Sequence, residues 1–286
     1  MTPPGNRVDD AFFVSLDELA ARVADGASLS VNKGDEADVP MALAKALIRR
    51  RVRGLRLVTL PTAAYPASGM MVDLLIGAGC VASIETSGVS LHELGPAPRF
   101  VQAVRAGLIE VLDATCPAVY AGLQAGAKGQ PFAPLRGLIG SDLLVHRRDY
   151  RVIDNPFASG DPVVVVPAIN PDFAIFHALR ADAEGNVWVG RDRDRLLAAH
   201  AAARVLVTVE TRVEGSFFDD EILAAGVIAA PAIEAIAIVP CGAWPMQADG
   251  SVDLEAVRRY QQAARSDEAF AAYLQAEGFM AEPAAS

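Results

Sequence analysis

Asp25-Gly26-Ala27-Ser28-Leu29-Ser30-Val31-Asn32-Lys33-Gly34-Asp35-Glu36-Ala37-Asp38-Val39-Pro40 decides how this 286-residue chain reads. Gly26 closes a preceding helix, and residues 28–31 form a short strand. The polar run from Asn32 to Ala37 is a loop. Asp38 then has the chemistry of a helix N-cap, with Pro40 in the first turn, where its missing N–H is no loss. Val39, Leu43 and Leu47 recur every four residues and draw one apolar stripe along the helix that follows. A strand, a short polar loop and a capped helix together make half of a βαβ unit. In an open α/β sheet, the loop at the carboxyl end of such a strand is where ligands bind.

The same alternation continues in both directions. A helix over 14–25, capped by Ser15, precedes the opening strand. Gly54 ends the second helix and residues 55–60 read as a buried strand. Helix over 69–78, strand over 80–85, helix over 98–106, strand over 108–111 and helix over 117–127 follow. Residues 127–161 carry no period and read as an irregular lid or partner-contact region. Strands return at 162–167 and 173–177, then a turn at 182–186, a helix over 192–203, and strands at 205–210 and 235–239. Polar helices over 254–264 and 267–277 close the pattern, and the tail from Ala281 is expected to fray. Strands alternating with helices through short connections predict one α/β domain spanning residues 1–286. Its sheet is open and mainly parallel, with helices on both faces.

Composition narrows the function. Hydrophobic residues make up 52% and charged residues 21%, enough for a large packed core. The net charge of −10 excludes a general nucleic-acid partner, which needs a basic face to neutralise phosphates. Apolar runs are too short to span a bilayer, so no membrane role is expected. The polar opening residues predict no signal peptide. Cys80, Cys116 and Cys241 are widely spaced and odd in number, which gives neither a disulfide framework nor a zinc motif, and a cytoplasmic setting follows. His92, His146 and His200 show no metal-ligand spacing, so no metal is expected.

The spacing from Asp25-Gly26 to Pro40 resembles the α-subunit signature of family I CoA-transferases. That signature runs Asp-Gly, two residues, three apolar residues, Gly-Gly-Phe, three residues, Gly, one residue, Pro. The content departs from it at Ser30, at Asn32-Lys33-Gly34 and at Asp38. Two further segments are similar to the glutaconate CoA-transferase α-type branch. One is Gly107-Leu108-Ile109-Glu110-Val111 with Gly122-Leu123-Gln124-Ala125, Pro131-Phe132-x-Pro134 and Gly140-Ser141. The other is Asp172-x-Ala174-x-x-His177, continuing to Ala181-Asp182-x-x-Gly185-Asn186, then an alanine-rich helix and a strand ending in Val209-Glu210. The resemblance covers roughly residues 17–239. It implies a fold shared with sugar-phosphate isomerases. It also implies that the partner is a β-type subunit, in a heterodimer or an α2β2 assembly, and that the substrate is a coenzyme A thioester, with no permanently bound cofactor. On the same resemblance, the nucleophilic glutamate sits on the partner. The branch includes ring-opening CoA-thioester hydrolases and decarboxylases, so both remain alternatives to transfer.

The candidate site residues follow from the loops. Asn32, Lys33 and Gly34 end the first strand, and a cation at Lys33 suits a substrate carboxylate or a CoA phosphate. Asp35, Glu36 and Asp38 crowd the same loop and favour a pair with Lys33 over a bare phosphate site. Thr86, Ser87 and the backbone at Gly88 follow another strand and suit hydrogen bonds to an acyl oxygen. Such donors contribute about 3 kcal/mol each at acyl-transfer sites. Glu85 is the in-chain candidate for a nucleophile, set against the plainer reading of a strand-end carboxylate in a turn. His177 alternates with Phe173 and Ile175, which marks a core histidine ahead of a catalytic base. The run Arg49-Arg50-Arg51-Val52-Arg53 suits a helix C-terminus better than a CoA phosphate. A sugar-phosphate isomerase or a sensor domain ranks third. Neither end offers a basic recognition helix, and only Thr86-Ser87-Gly88 approaches a phosphate loop.

Overall fold

The computed structural model describes residues 12–279. The chain opens with α1 (Leu16–Ala21), β1 (Ser28–Asn32), α2 (Met41–Arg49), β2 (Leu55–Leu60), α3 (Pro66–Gly77), β3 (Val81–Thr86), α4 (Pro98–Arg105), β4 (Glu110–Asp113) and α5 (Cys116–Ala127). A smaller unit follows, built from β5 (Phe132–Leu135), α6 (Leu143–His146), β6 (Arg151–Asp154) and β7 (Pro162–Pro167). The chain then returns through β8 (Phe173–Asp182), β9 (Val187–Trp188), α7 (Arg193–Ala201), β10 (Arg204–Val213), α8 (Glu221–Ala224), β11 (Val227–Ile228) and β12 (Ile233–Ile238). Helices α9 (Leu254–Ala263) and α10 (Asp267–Ala276) end the described part.

The main sheet has nine strands. Its parallel body runs β4-β3-β2-β1-β8-β10-β12; β9 pairs antiparallel with the carboxyl end of β8, and β11 with β9. Alternation along each strand assigns its residues to two cores. Leu29, Val31, Leu57 and Ile175 pack with Leu43 and Leu47 of α2, Met70 and Leu74 of α3, and Val257 and Tyr260 of α9. Val58, Leu60, Ala174 and Phe176 pack on the opposite side with Val119 and Leu123 of α5 and Ala198 and Ala199 of α7. Both faces are therefore covered, and the central strands carry unbroken apolar runs for that reason. The fold is an open, mainly parallel α/β sheet with helices on both sides. Its loops after β1, β2 and β3 all leave the same edge.

Several local expectations need correction. Residues 127–161 are structured: β5 and β6 flank β7 in a three-stranded antiparallel sheet. That sheet packs on α5 through Ala118, Ala121, Tyr150, Val164 and Val166. Its other face exposes Phe132, Ile153 and Phe157 around a groove of about 460 Å3. Asp38 caps nothing. Pro40 occupies the N-cap of α2, and the Asp38 side chain is buried. Ser15 does cap α1 and forms a reciprocal capping box with Glu18, but the helix spans only Leu16–Ala21. The arginine run ties helix ends together rather than reaching solvent alone. Arg50 donates to the carbonyls of Ala20 and Val23, and Arg53 to those of Ala78 and Gly79. The tail from Ala281 lies outside the described residues.

Candidate functional site

The first loop leaves β1 at Asn32 and is pinned on two sides. Lys33 pairs with Asp35 at 2.9 Å and with Asp194 of α7 at 3.3 Å. The hydrogen bond to Asp35 holds the Lys33 ammonium charged well above its ordinary range. Tyr120 of α5 donates to the same Asp194 at 2.8 Å. On the other side, the Ser68 hydroxyl of α3 donates to the Lys33 carbonyl. Gly34 has φ +81°, and a Cβ there would meet Ser68 Cβ at 2.8 Å. A positive φ and a close neighbour together leave room only for glycine.

The loops after β2 and β3 run on as a joined pair. Ser87 N–H donates to the Pro61 carbonyl at 3.0 Å, Ala63 N–H to Gly88 at 3.0 Å, and Ser90 N–H to Ala63 at 3.1 Å. Thr86 Oγ1 sits 2.8 Å from Thr59 Oγ1 and accepts from Gly88 N–H at 3.0 Å. The Thr86 hydroxyl is thus engaged in holding the turn. Ser87 Oγ donates to the Pro61 carbonyl at 3.0 Å and lies 3.4 Å from the Sγ of exposed Cys116, the first residue of α5. Gly69 of α3 presses against this pair of loops, since a Cβ there would lie 1.8 Å from the Ser90 carbonyl oxygen. Ser68 and Gly69, adjacent in sequence, therefore touch the first loop and the third. The N-terminal end of α3 thus touches the loop that carries Lys33 and Gly34 on one side and, through Ser90, the loop that follows Thr86–Gly88 on the other.

Beneath the first loop lies a polar cluster. Ser30 and Asn32 share a strand face, turned away from Leu29 and Val31. Asn32 is 2% exposed and Asp38 1%. The Asn32 amide lies against the Asp38 carboxyl. Even so, Ser30 Oγ, both amide atoms of Asn32 and Asp38 Oδ1 lack a well-formed hydrogen bond within the described chain. Burial pushes the Asp38 carboxyl up to about 7, and the Arg195 guanidinium nearby opposes the rise. Arg195 itself is buried and joins this corner to the next strand. It binds Asp192 and Glu36, both at 2.6 Å, and the His177 carbonyl at 3.2 Å. The His177 ring contacts Thr208 at 2.8 Å and Glu210 at 2.9 Å. Burial lowers its pKa, with Glu210 opposing. His177 is a buried, hydrogen-bonded histidine, as its alternation predicts. Across the first loop from Lys33, a cleft of about 450 Å3 opens between Asp35, Glu36, Trp188, Arg191 and Asp249.

Glu85 lies elsewhere. The residue is buried, and its carboxylate bonds Arg147 of the small sheet's stem at 2.8 Å. It lines a shallow groove of about 180 Å3 with Ser28 and Arg56, which come from the amino ends of their strands. Burial raises its pKa and Arg147 opposes the rise. Arg147 also binds Asp149 at 2.7 Å and the Asp113 carbonyl at 3.1 Å. This carboxylate is an anchor for the small sheet, turned away from the loop ends. Ser68, Gly69, Tyr120 and Arg195 shape the site without having been singled out from the sequence. The charge alternation Asp192-Arg193-Asp194-Arg195 is a signal that could have drawn attention to Arg195, and it went unread. Among the described residues, no cluster of His, Cys, Asp or Glu has metal-binding geometry. No described helix is long and apolar enough to cross a membrane.

Comparisons with known proteins bear on the fold and the family. Residues 13–229 match the family model described as coenzyme A transferase. The chain is 30% identical over 275 residues to one subunit of the 3-oxoadipate CoA-transferase of Pseudomonas knackmussii, covering 92% of each. It is 34% identical over 211 residues to the cholesterol ring-cleaving hydrolase IpdA subunit of Rhodococcus jostii, covering 70% of this chain and 68% of that one. The crystal structure of glutaconate coenzyme A-transferase from Acidaminococcus fermentans superposes with a TM-score of 0.81 at 26% identity, over 93% of this chain and 88% of the other.

Proposed function

Because this chain belongs to the coenzyme A transferase family, we propose that it is the α-type subunit of a heteromeric CoA-transferase whose β-type partner supplies the nucleophilic glutamate. The observation that carries this reading is the state of the carboxylates at the loop ends. Asp35 and Asp194 are paired with Lys33, and Glu36 with Arg195. Glu85 is held by Arg147 on the face of the sheet. Each of these lies within hydrogen-bond reach of a cation, in places a shared one, whereas a carboxylate nucleophile needs a free lone pair and an open approach.

On this reading the partner's carboxylate attacks the thioester carbonyl and expels the CoA thiolate, giving a mixed anhydride. The thiolate then attacks the glutamyl carbonyl and releases the first acid. A second acid reverses both steps and leaves as the new thioester. This chain contributes one wall: the loop after β1, and the turn at Ser87 and Gly88 with the exposed N-terminal turn of α5 beside it. The Ser87 and Gly88 N–H groups already donate to the Pro61 carbonyl and to Thr86 Oγ1, so on this reading the turn shapes the wall and the oxyanion donors come from elsewhere in the heteromer. The acyl-CoA substrate and a cytoplasmic setting belong to the same reading.

Hydrolysis is the second reading, favoured by the likeness to a ring-cleaving hydrolase. The deciding experiment is an assay of the co-purified pair over a panel of CoA thioesters, with and without an acceptor acid. Acceptor-dependent turnover supports transfer. Turnover that ignores the acceptor and releases free CoA supports hydrolysis. Activity from this chain alone refutes the division of the site between two chains.

A further inference from the structure

The edge of the sheet opposite the loops after β1, β2 and β3 carries an open cleft of its own. It measures about 420 Å3 and lies between the C-terminal ends of α2 and α3 and the side of α10. Helix α3 runs from Ser68 and Gly69 at the loop edge to Gly77 here, and its 12 residues rise about 18 Å, so the two places are separate. The floor of the cleft is apolar, made by the buried side chains of Ile48, Phe270 and Leu274. The rim is cationic. Arg51, Arg53 and Arg99 line it against a single carboxylate, Asp267. In a chain of net charge −10, that is a local excess of positive charge.

The fold employs these three arginines unequally. Arg99 is buried, stacks over the Phe270 ring at 4.3 Å and pairs with Asp267, so the one carboxylate in the wall is already committed. Arg53 donates through one nitrogen to the Ala78 and Gly79 carbonyls, which ties down the end of α3. Arg51 is exposed, and its guanidinium makes no hydrogen bond or ion pair among the described residues. An unpaired guanidinium beside a half-used one, above buried aliphatic and aromatic side chains, offers a charged end and an apolar end to the same guest.

We propose that this cleft binds a small amphiphilic carboxylate: one acid group on an aliphatic or aromatic body. The carboxylate meets Arg51 and Arg53, whose planar donor forks match its two oxygens. The body lies over Phe270 and Leu274, and Arg99 supports the charge from behind. The volume falls in the range of small-molecule sites. An inorganic phosphate uses the arginines and leaves the apolar floor in water. A neutral alcohol covers the floor and leaves Arg51 unpaired. Only a molecule with both parts uses the whole cleft. This second site stands apart from whatever reaction the loop edge performs, and its test does not depend on turnover.

The test is isothermal titration of octanoate into the purified chain, together with its partner where the two co-purify. One octanoate per copy of this chain is expected. Octanol and inorganic phosphate are each expected to bind at least about tenfold more weakly, since each lacks either the charge-assisted bond or the buried methylenes. Arg51→Gln removes a cation with no contact in the fold, so it is expected to keep the melting temperature and to weaken octanoate at least about tenfold. Ala271→Trp fills the cleft from an exposed position on α10 and is expected to abolish binding. Absence of saturable binding overturns the proposal, and so does phosphate binding as tight as that of octanoate. Octanoate binding that survives both substitutions also overturns it, because the acid then sits at the loop edge or elsewhere.

Discussion

Arg147 is the residue whose removal has the clearest consequence. It is buried, bonded to Glu85, Asp149 and the Asp113 carbonyl, and stacked over the Tyr150 ring at 4.1 Å. Arg147→Met leaves the Glu85 carboxylate buried and unpaired, which costs about 3–5 kcal/mol. Adding Glu85→Leu is expected to recover most of that loss, and a double-mutant cycle in urea measures the coupling. Asp38 gives a pH signature. Burial raises its folded pKa to about 7, above the unfolded carboxyl range. The folded state therefore holds the proton more tightly, and stability from this group is full below the unfolded pKa and is lost as pH climbs toward 7. Asp38→Asn removes that loss, so its melting temperature relative to the natural chain is expected to rise between pH 5 and pH 8. A difference that stays flat across that range removes the buried acid from the account. The sequence shows residues of this kind unevenly. Ser15 was legible as a cap because its partner Glu18 is three residues away. Asp38 misled because its place before Pro40 mimics a cap, while its actual neighbours, Asn32 and Arg195, are brought to it by the sheet and by α7.

At the level of elements, the central strands were legible because burial on both faces writes continuous apolar runs. The bounds of β2 and β7 follow directly from Leu55–Leu60 and Pro162–Pro167. The same property makes them costly to alter. Ile175→Ala opens a cavity in the core beneath the first half of β8 and is expected to cost about 2–5 kcal/mol, read as a lower urea midpoint with an unchanged slope. The pairs of β9 and β11 are only two residues long and leave no period to read. The small sheet was hidden for another reason. β6 is exposed along its whole length and β5 carries Pro134, so neither shows the alternation of a half-buried strand. A proline at the edge of a sheet loses no ladder bond, which is why β5 tolerates it. At the site, Gly69→Ala puts a methyl group where the Ser90 carbonyl stands. The joined loops after β2 and β3 must then move, and acyl-CoA turnover by the heteromer is expected to fall at least about tenfold even where the chain still folds. A kinetic profile equal to that of the natural chain removes those loops from the active surface.

For the molecule as a whole, the parallel order sends the loops after β1, β2 and β3 to one edge, and on the proposed reading that edge is where a second chain completes the chemistry. Expressed alone, the chain is expected to bind no thioester productively. Expressed with its β-type partner, it is expected to elute as a stable complex, with the total buried area of about 1,500 Å2 or more that permanent pairs share. Elution as a free monomer beside an unbound partner contradicts that expectation. How much of the site the sequence discloses follows the same division. The spacing that places Asn32 to Gly34 and Thr86 to Gly88 at strand ends is local, and it was legible. The helix end that touches the loops following these strands belongs to tertiary packing, and nothing in the residues around Ser68 announces it.

That helix end has a mechanical meaning. Ser68 holds one loop by its carbonyl, and Gly69 lies flush against the backbone of another, so α3 is a shared abutment for both. The helix is buried along its length, which keeps the two loops in fixed relation although they do not touch.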